Sequence, residues 1–415
     1  MPAPYTLYAG GYEQQIVQLS FDPSLPDPAD RLKVVSTVRS GNAPTWLTVV
    51  SDGKTLLSTD EWGDPEGAIE LLKIGEDGRL EKVGQEVRTG GLWPCHSGLI
   101  TSTSPPLLVT TNYKGASLHL LLLDPASPSL GTSYTLPVAP DHSLGPHPDR
   151  QQRAHPHGAT PDPLQRVLVV PDLGTDELRL YRIRHDAQRL EDALTEYGAV
   201  RLEPGCGPRH VLFSPLRRQG ADDEEKEARL YVMNELDNSL SVLRVTYPSP
   251  TSSSPADPPT FTPLQSRVSL LPSQPMPHQS SFSAWHSAEL VLSPCGRTLI
   301  ASNRAEAHDP IHGTRDGPED LLAVFAVGED GRIDEASREL VGAGGRAPRH
   351  MSLSSESATR GGGGDKAVEQ GRYLAVALHD SDEVVIYERR GHEGRQMEEL
   401  ARATNLGRPG VVVWL

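Results

Sequence analysis

Residues 205–245, GCGPRHVLFSPLRRQGADDEEKEARLYVMNELDNSLSVLRV, hold two short apolar strands joined by a charged turn. Their Val, Leu and Tyr residues recur at period two, as half-buried strands require. Arg209 and His210 stand just before the first strand, and Asn234 and Glu235 just after the second. Other stretches copy this layout with different side chains at the matching places. The repetition predicts the fold, and departures from it predict the site.

One unit reads as an apolar strand, Gly-x-x-Pro, a strand, a Ser-Pro or Asp-x-Gly turn, a strand, a polar tip and a last strand. Copies run over 32–74, 80–123, a third ending at Ile183, the opening stretch, 264–327 and 340–387. The C-terminal ELARATNLGRPGVVVWL matches the first half of a unit, and the N-terminal YTLYAGGYEQQIVQLSF the second half. Units of four strands and roughly 45 residues fit propeller blades. The expectation is an all-β, seven-bladed β-propeller, one domain over residues 1–415, closed by N- and C-terminal strands that share a blade, which removes the open sheet edge. Outside the repeat, 220–229 reads as a charged hairpin tip, and 248–259 and 354–372 as Ser/Pro- and Gly-rich loops. The insertion AEAHDPIHGTRDGPED at 305–320 follows a polar tip and is placed to cover the mouth of the ring.

Composition agrees. Apolar residues make up 36%, and 38 glycines with 37 prolines suit short strands and frequent turns. A formal net charge of −16 argues against a nucleic-acid partner, and no basic face for a membrane is seen. Cys95, Cys206 and Cys295 are odd in number and far apart, so neither a disulfide framework nor a zinc cluster is expected. A reducing, cytoplasmic setting fits best. No secretory signal is read in MPAPYTLYAGGY.

Matching positions define two sets of candidates. The first follows the repeated Pro: Thr45 and Trp46, Cys95 and His96, His157 and Gly158, Arg209 and His210, Arg349 and His350, and Gly410. The fifth unit lacks the Pro and offers Trp285 and His286. The second set is the polar tip: Asp60 and Glu61, Asn112 and Tyr113, Asp172, Asn234 and Glu235, Asn303 and Arg304, and His379 and Asp380. In antiparallel strands both sets lie at one end of the sheet. Asn112, Asp172 and Asn303 read as turn caps. The recurrence of His210, His286 and His350 reads as architecture. His157, Glu235 and Arg304 depart from their sets and, with Arg209, whose position Arg349 shares in the sixth unit, are the candidates for chemistry. His96, Tyr113, His286 and Arg349 are the candidates for substrate binding. The histidines of HPH at 155–157 alternate on a strand and so do not easily share an ion. HExxH, EF-hand, CxxC, GxSxG and P-loop patterns are absent, and neither metal nor cofactor is expected.

Over HPHGATPDP…VLVVPDL, GPRHVLFSP…YVMNELDNSLSVL, AELVLSPCGRTLIASNR and APRHMSLS…YLAVALHDSDEVVIY, nearly the whole chain resembles the seven-bladed β-propeller lactonase family. That family includes propeller-type 6-phosphogluconolactonases and fungal 3-carboxy-cis,cis-muconate lactonizing enzymes. The resemblance implies a site of His157, Arg209, Glu235 and Arg304. It implies a lactonase acting on a small anionic lactone or carboxylate. Arg209 would anchor the anion and Arg304 would stabilise the oxyanion. His157 would activate water, with Glu235 orienting it or handling the leaving-group proton, and the two can exchange roles. A muconate-type cycloisomerase would use the same residue types. A non-catalytic propeller scaffold is the alternative from a different class.

Overall fold

The computed structural model describes residues 4–124, 129–139, 143–219, 225–248, 257–272, 285–305, 320–354 and 371–415. The insertion at 305–320, and with it the expected cover of the mouth, lies outside the described residues apart from its two ends. So do most of the loops at 248–259 and 354–372.

Seven antiparallel sheets, each a four-stranded blade, carry the fold. Sheet 1 runs Pro44–Val49, Thr55–Asp60, Ala68–Ile74, Leu80–Arg88. Sheet 2 runs Pro94–Ile100, Leu107–Asn112, Ser117–Asp124, Ser129–Pro137. Sheet 3 runs Thr160–Pro161, Val167–Asp172, Glu177–Ile183, Leu194–Arg201. Sheet 4 runs Pro208–Phe213, Glu225–Asn234, Ser239–Tyr247, Thr260–Ser269, with Arg217–Gln219 as a short extra strand. Sheet 5 runs Trp285–Leu292, Thr298–Ala305, Leu321–Val327, Ile333–Gly342. Sheet 6 runs Pro348–Leu353, Tyr373–Leu378, Glu383–Arg390, Gln396–Thr404. Sheet 7 runs Pro409–Trp414, Tyr5–Gly11, Gln15–Phe21, Leu32–Arg39.

Two expectations shift. The sheets are out of phase with the sequence unit by one strand. The strand placed first in each unit, such as Leu32–Arg39, is the fourth strand of the preceding sheet. Sheet 7 therefore takes one strand from the C-terminus and three from the N-terminus, not two from each. A repeat fixes its period, but where a sheet begins depends on which strands hydrogen-bond. Of the charged hairpin tip expected at 220–229, residues 220–224 lie outside the described residues; Arg217–Gln219 pairs antiparallel with residues 225–227 as a hairpin does, and from 225 onward the run is strand rather than solvated tip. Glu225–Asn234 is one strand, and Arg229 Nη1 pairs with Glu227 Oε2 at 3.0 Å, both side chains buried. Mutual neutralisation keeps the ladder intact through charged residues.

The second and third strands of the sheets are the buried ones. Leu107–Asn112, Val167–Asp172 and Tyr373–Leu378 are buried at every position. Fourth strands such as Leu80–Arg88 are largely open. The turn between strands one and two repeats its chemistry. Asp52 Oδ1 accepts from the Lys54 and Thr55 amides, Asp162 Oδ1 from Arg166 and Val167, and Ser293 Oγ from Arg297 and Thr298. These short oxygens cap the turn.

Contacts group the chain into two compact units, Met1–Arg88 with Leu270–Val327 and Asp334–Leu415, and Thr89–Ser269 with Gly328–Ile333. In the first, Leu7, Val17, Val384 and Val412 share a core between sheets 6 and 7. In the second, Val109, Leu118, Leu168 and Tyr181 join sheets 2 and 3, and Val169, Leu178, Leu230 and Val245 join sheets 3 and 4.

Candidate active site

The residue after the repeated proline sits on a β-bulge. Pro94 pairs with Asn112 and His96 with Thr111, leaving Cys95 as the extra residue. The same shift leaves Arg209 between Pro208 and His210, Thr45 between Pro44 and Trp46, and Arg349 between Pro348 and His350. In sheet 3 the bridge from Pro156 to Asp172 puts His157 at this position. A bulge leaves its extra residue outside the ladder and re-aims its side chain. Tip residues are held from the opposite side: the Tyr113 amide donates to Trp93 O, Leu173 to His155 O and Glu235 to Gly207 O. Bulge and tip of sheets 2, 3 and 4 thus face each other at one end of the second unit.

The cluster centres on Arg209. Its Nη1 lies 2.5 Å from His157 Nε2 and 2.6 Å from Glu235 Oε2. A guanidinium only donates, so Nε2 is the acceptor and the His157 proton is on Nδ1, 3.7 Å from Cys95 Sγ. Arg150 Nη2 donates to the second Glu235 oxygen at 2.6 Å. Its guanidinium also hydrogen-bonds the Tyr113 side chain. Tyr113 stacks on His155, ring centroids 4.4 Å apart, and meets His157 edge-on at 5.2 Å. Gly158 lets the two sheets approach: a Cβ there would lie 3.2 Å from Arg209 O and 3.1 Å from Pro171 Cγ.

Burial sets the charges. His157 is held well below the ordinary imidazole value, first by desolvation and then by Arg209 and His210, so the ring is neutral. His155 is lowered for the same first reason. Desolvation raises the Tyr113 phenol, with Glu235 adding to it. Burial acts to lower Arg150, but Glu235 and Tyr113 together raise it, so it stays cationic. Arg209 and Glu235 are almost sealed, with side chains 7% and 1% exposed, whereas Arg150 is 31% exposed.

Of the expected catalytic residues, His157, Arg209 and Glu235 come together with Tyr113. Glu235 contacts Arg209 in the space between it and Arg150. His96 is half-buried beside them. Its Nδ1 accepts from the Ala159 amide at 3.2 Å, and its ring meets His210 at 5.2 Å. Arg304 lies in the first unit, buried, with Nη1 3.5 Å from Ser287 O. Arg349, in the same unit, places its guanidinium 5.2 Å over the Tyr12 ring, whose hydroxyl donates to Glu61 Oε2 at 3.1 Å. His286 pairs across the ladder with Arg304, and Ser287 with Asn303. Ser287 therefore matches the repeated proline and Glu289 matches His210, three residues on from the alignment that gave Trp285 and His286. The expected caps do cap. Asn112 Nδ2 donates to Thr89 O, and Asn303 Nδ2 to Leu270 O. Asp172 takes the His155 and Gly174 amides.

Arg150, His155 and Cys95 were not among the site residues. Cys95 shares the bulge position of Arg209. Arg150 lies in the connection between sheets 2 and 3, outside any repeat. Its signals were the length of that connection and its position just before HPH. Among the described residues no group of three or more His, Cys, Asp or Glu side chains is arranged to hold a metal ion.

A histidine, an arginine and a glutamate brought together by bulge and tip define a polar site built on propeller blades. The chain belongs to the family described as lactonase, 7-bladed beta-propeller, which it matches over residues 6–414. It is 28% identical over 304 residues to an Arthroderma benhamiae protein named "Probable 6-phosphogluconolactonase", covering 72% of this chain and 66% of that one. It is also 28% identical over 201 residues to the 6-phosphogluconolactonase of Bacillus subtilis, covering 48% and 51%. The chain thus spans between half and two thirds of these relatives' lengths. The periplasmic gluconolactonase PpgL of Pseudomonas aeruginosa shares the fold: TM-score 0.74 at 23% identity, covering 100% of this chain and 99% of that one.

Proposed function

We propose that the protein hydrolyses an anionic sugar lactone, with 6-phosphogluconolactone as the leading substrate, and does so in the cytoplasm. One observation carries the reading: Arg209 is held at 2.5 and 2.6 Å between a neutral imidazole and a carboxylate, with its side chain almost out of reach of solvent. Family membership supplies the reaction class. Among the described residues no helix is long and apolar enough to cross a membrane.

Hydrolysis needs a base for water and positive charge for the oxyanion. His157 is the base, because its neutral ring carries its lone pair on Nε2. In the unliganded site that lone pair accepts from Arg209. When the lactone carbonyl draws the guanidinium toward it, Nε2 is released to accept from water. Arg209 then stabilises the tetrahedral oxyanion, a task its low-dielectric surroundings favour, and as that intermediate collapses the ring C–O bond breaks and the leaving ring oxygen takes the proton that His157 drew from water. Glu235 holds Arg209 in place. The nearly complete burial of Arg209 supports this oxyanion role over the anchoring role expected from the sequence.

The test is proton release from 6-phosphoglucono-1,5-lactone, with and without chelator. Arg209→Ala is expected to lower kcat about a hundred- to a thousandfold in protein that remains folded, the usual loss for one oxyanion donor, with a lowered melting temperature from the broken buried pair. Turnover of 3-carboxy-cis,cis-muconate without lactone hydrolysis would establish the cycloisomerase instead. Binding of a protein with no turnover of either substrate would establish the scaffold.

A further inference from the structure

We propose that Arg150 selects the substrate by clamping its anionic substituent, a phosphate or carboxylate remote from the reacting carbonyl. The inference rests on the lactonase reading of the same site.

Arg150 is delivered by its own device. Most sheets follow each other through four to six residues, but 18 separate Pro137 from Pro156. This connection is pinned to sheet 3. The Gly145 amide donates to Gly174 O at 3.0 Å, and the buried Gln151 Nε2 donates to Leu173 O and Asp176 Oδ1, each at 2.8 Å. The Gln151 amide returns to His147 O at 2.7 Å, so Arg150 stands on a closed turn. Asp176 also accepts from the Gly205 and Gly207 amides, just ahead of Pro208. One carboxylate therefore fixes both Arg150's turn and the turn that leads to Arg209.

The guanidinium's surroundings fit a ligand role. Glu235 already has a buried ion-pair partner in Arg209. Bringing a second cation to the same carboxylate adds desolvation, and stability does not require it. Together the three groups hold two positive charges and one negative charge. Arg150 is also the member of the trio that reaches solvent, at 31% exposure against 7% for Arg209. A planar guanidinium that is braced by Tyr113 and Glu235 and still reaches solvent suits phosphate or carboxylate oxygens. Arg209, deeper in the site, meets the reacting carbonyl, and Arg150 meets the charge that enters with it.

The probes are 6-phosphogluconate, glucarate and gluconate, with binding to the full chain followed by calorimetry. The wild type is expected to prefer 6-phosphogluconate to gluconate. Arg150→Gln is expected to cut that preference about 30- to 100-fold, and Arg150→Lys, which keeps a point charge, about tenfold. The glucarate arm tells a carboxylate clamp from a phosphate clamp. An unchanged preference in a folded variant, Gln or Lys, would overturn the proposal. The two readings fail separately. A protein that hydrolyses lactones with no Arg150-dependent preference keeps the function and loses the clamp. A protein that hydrolyses none yet shows the preference keeps the clamp and loses the function.

Discussion

The Nη1 nitrogen of Arg209 makes both contacts that define the site, which ties the ionisation of His157 to its geometry. A free imidazole titrates near 6.5, and His157 is displaced well below that. Its basic form therefore persists as pH falls through 6.5. The acid limb of the kcat/KM profile is expected to stay flat from pH 7.5 past 6.5 and to drop only at lower pH. An inflection at 6.5 that disappears in His157→Gln would contradict the neutral, buried ring. The sign for stability runs the same way. The unfolded chain takes up protons on these imidazoles below 6.5 and the folded chain does not, so stability declines as pH falls from 7. His119, buried and lowered to about 4, extends that window downward.

Sheet 3 shows how an element supports a side chain that it does not itself contain. Arg179 is fully buried. Its Nε donates to Asp172 Oδ2 at 2.8 Å, Nη1 to Glu196 Oε1 at 3.2 Å and Nη2 to Ala139 O at 3.1 Å. The other Asp172 oxygen takes the His155 amide at 2.7 Å. Asp172→Ala would leave Arg179 without its closest carboxylate and loosen the HPH segment. It is expected to cost about 3–5 kcal/mol in denaturant unfolding and to lower activity through His157. A loss under about 1 kcal/mol would show that Glu196 suffices alone. The element scale is also where the sequence was most and least legible. Period-two strands, the Gly-x-x-Pro approach and the polar tips located almost every strand, because those signals are local. Sheet phase and the fifth-unit alignment were not local: they depend on ladder partners, and only Ser287 opposite Asn303 shows that His286 lies before the bulge. His157 and Glu235 were legible because they depart from their sets, and Arg209 because it falls at the repeated position beside the PRH proline. Arg150 was not, because it belongs to no repeat it could break.

At the scale of the molecule, sheet 7 joins the two ends of the chain. Leu7 to Gly11 pair with Trp414 back to Pro409, and Val411 and Val412 are fully buried. Removing residues 409–415 would strip that edge from Tyr5–Gly11 and lose the Val411, Val412 and Trp414 contacts, worth roughly 4.5–9 kcal/mol at about 1.5–3 each. Thermal unfolding is expected to fall by more than 10 °C, or the chain to aggregate. Unchanged melting would show that closure contributes little. The repeated bulge has a consequence for the molecule's history. Thr45, Cys95, Arg209 and Arg349 occupy equivalent places where the side chain stands outside the strand pairing. Such a place tolerates hydroxyl, thiol or guanidinium without rewriting the ladder around it. Each blade thus offers one variable position whose changes alter chemistry before they alter folding, and one scaffold can pass between activities by single substitutions.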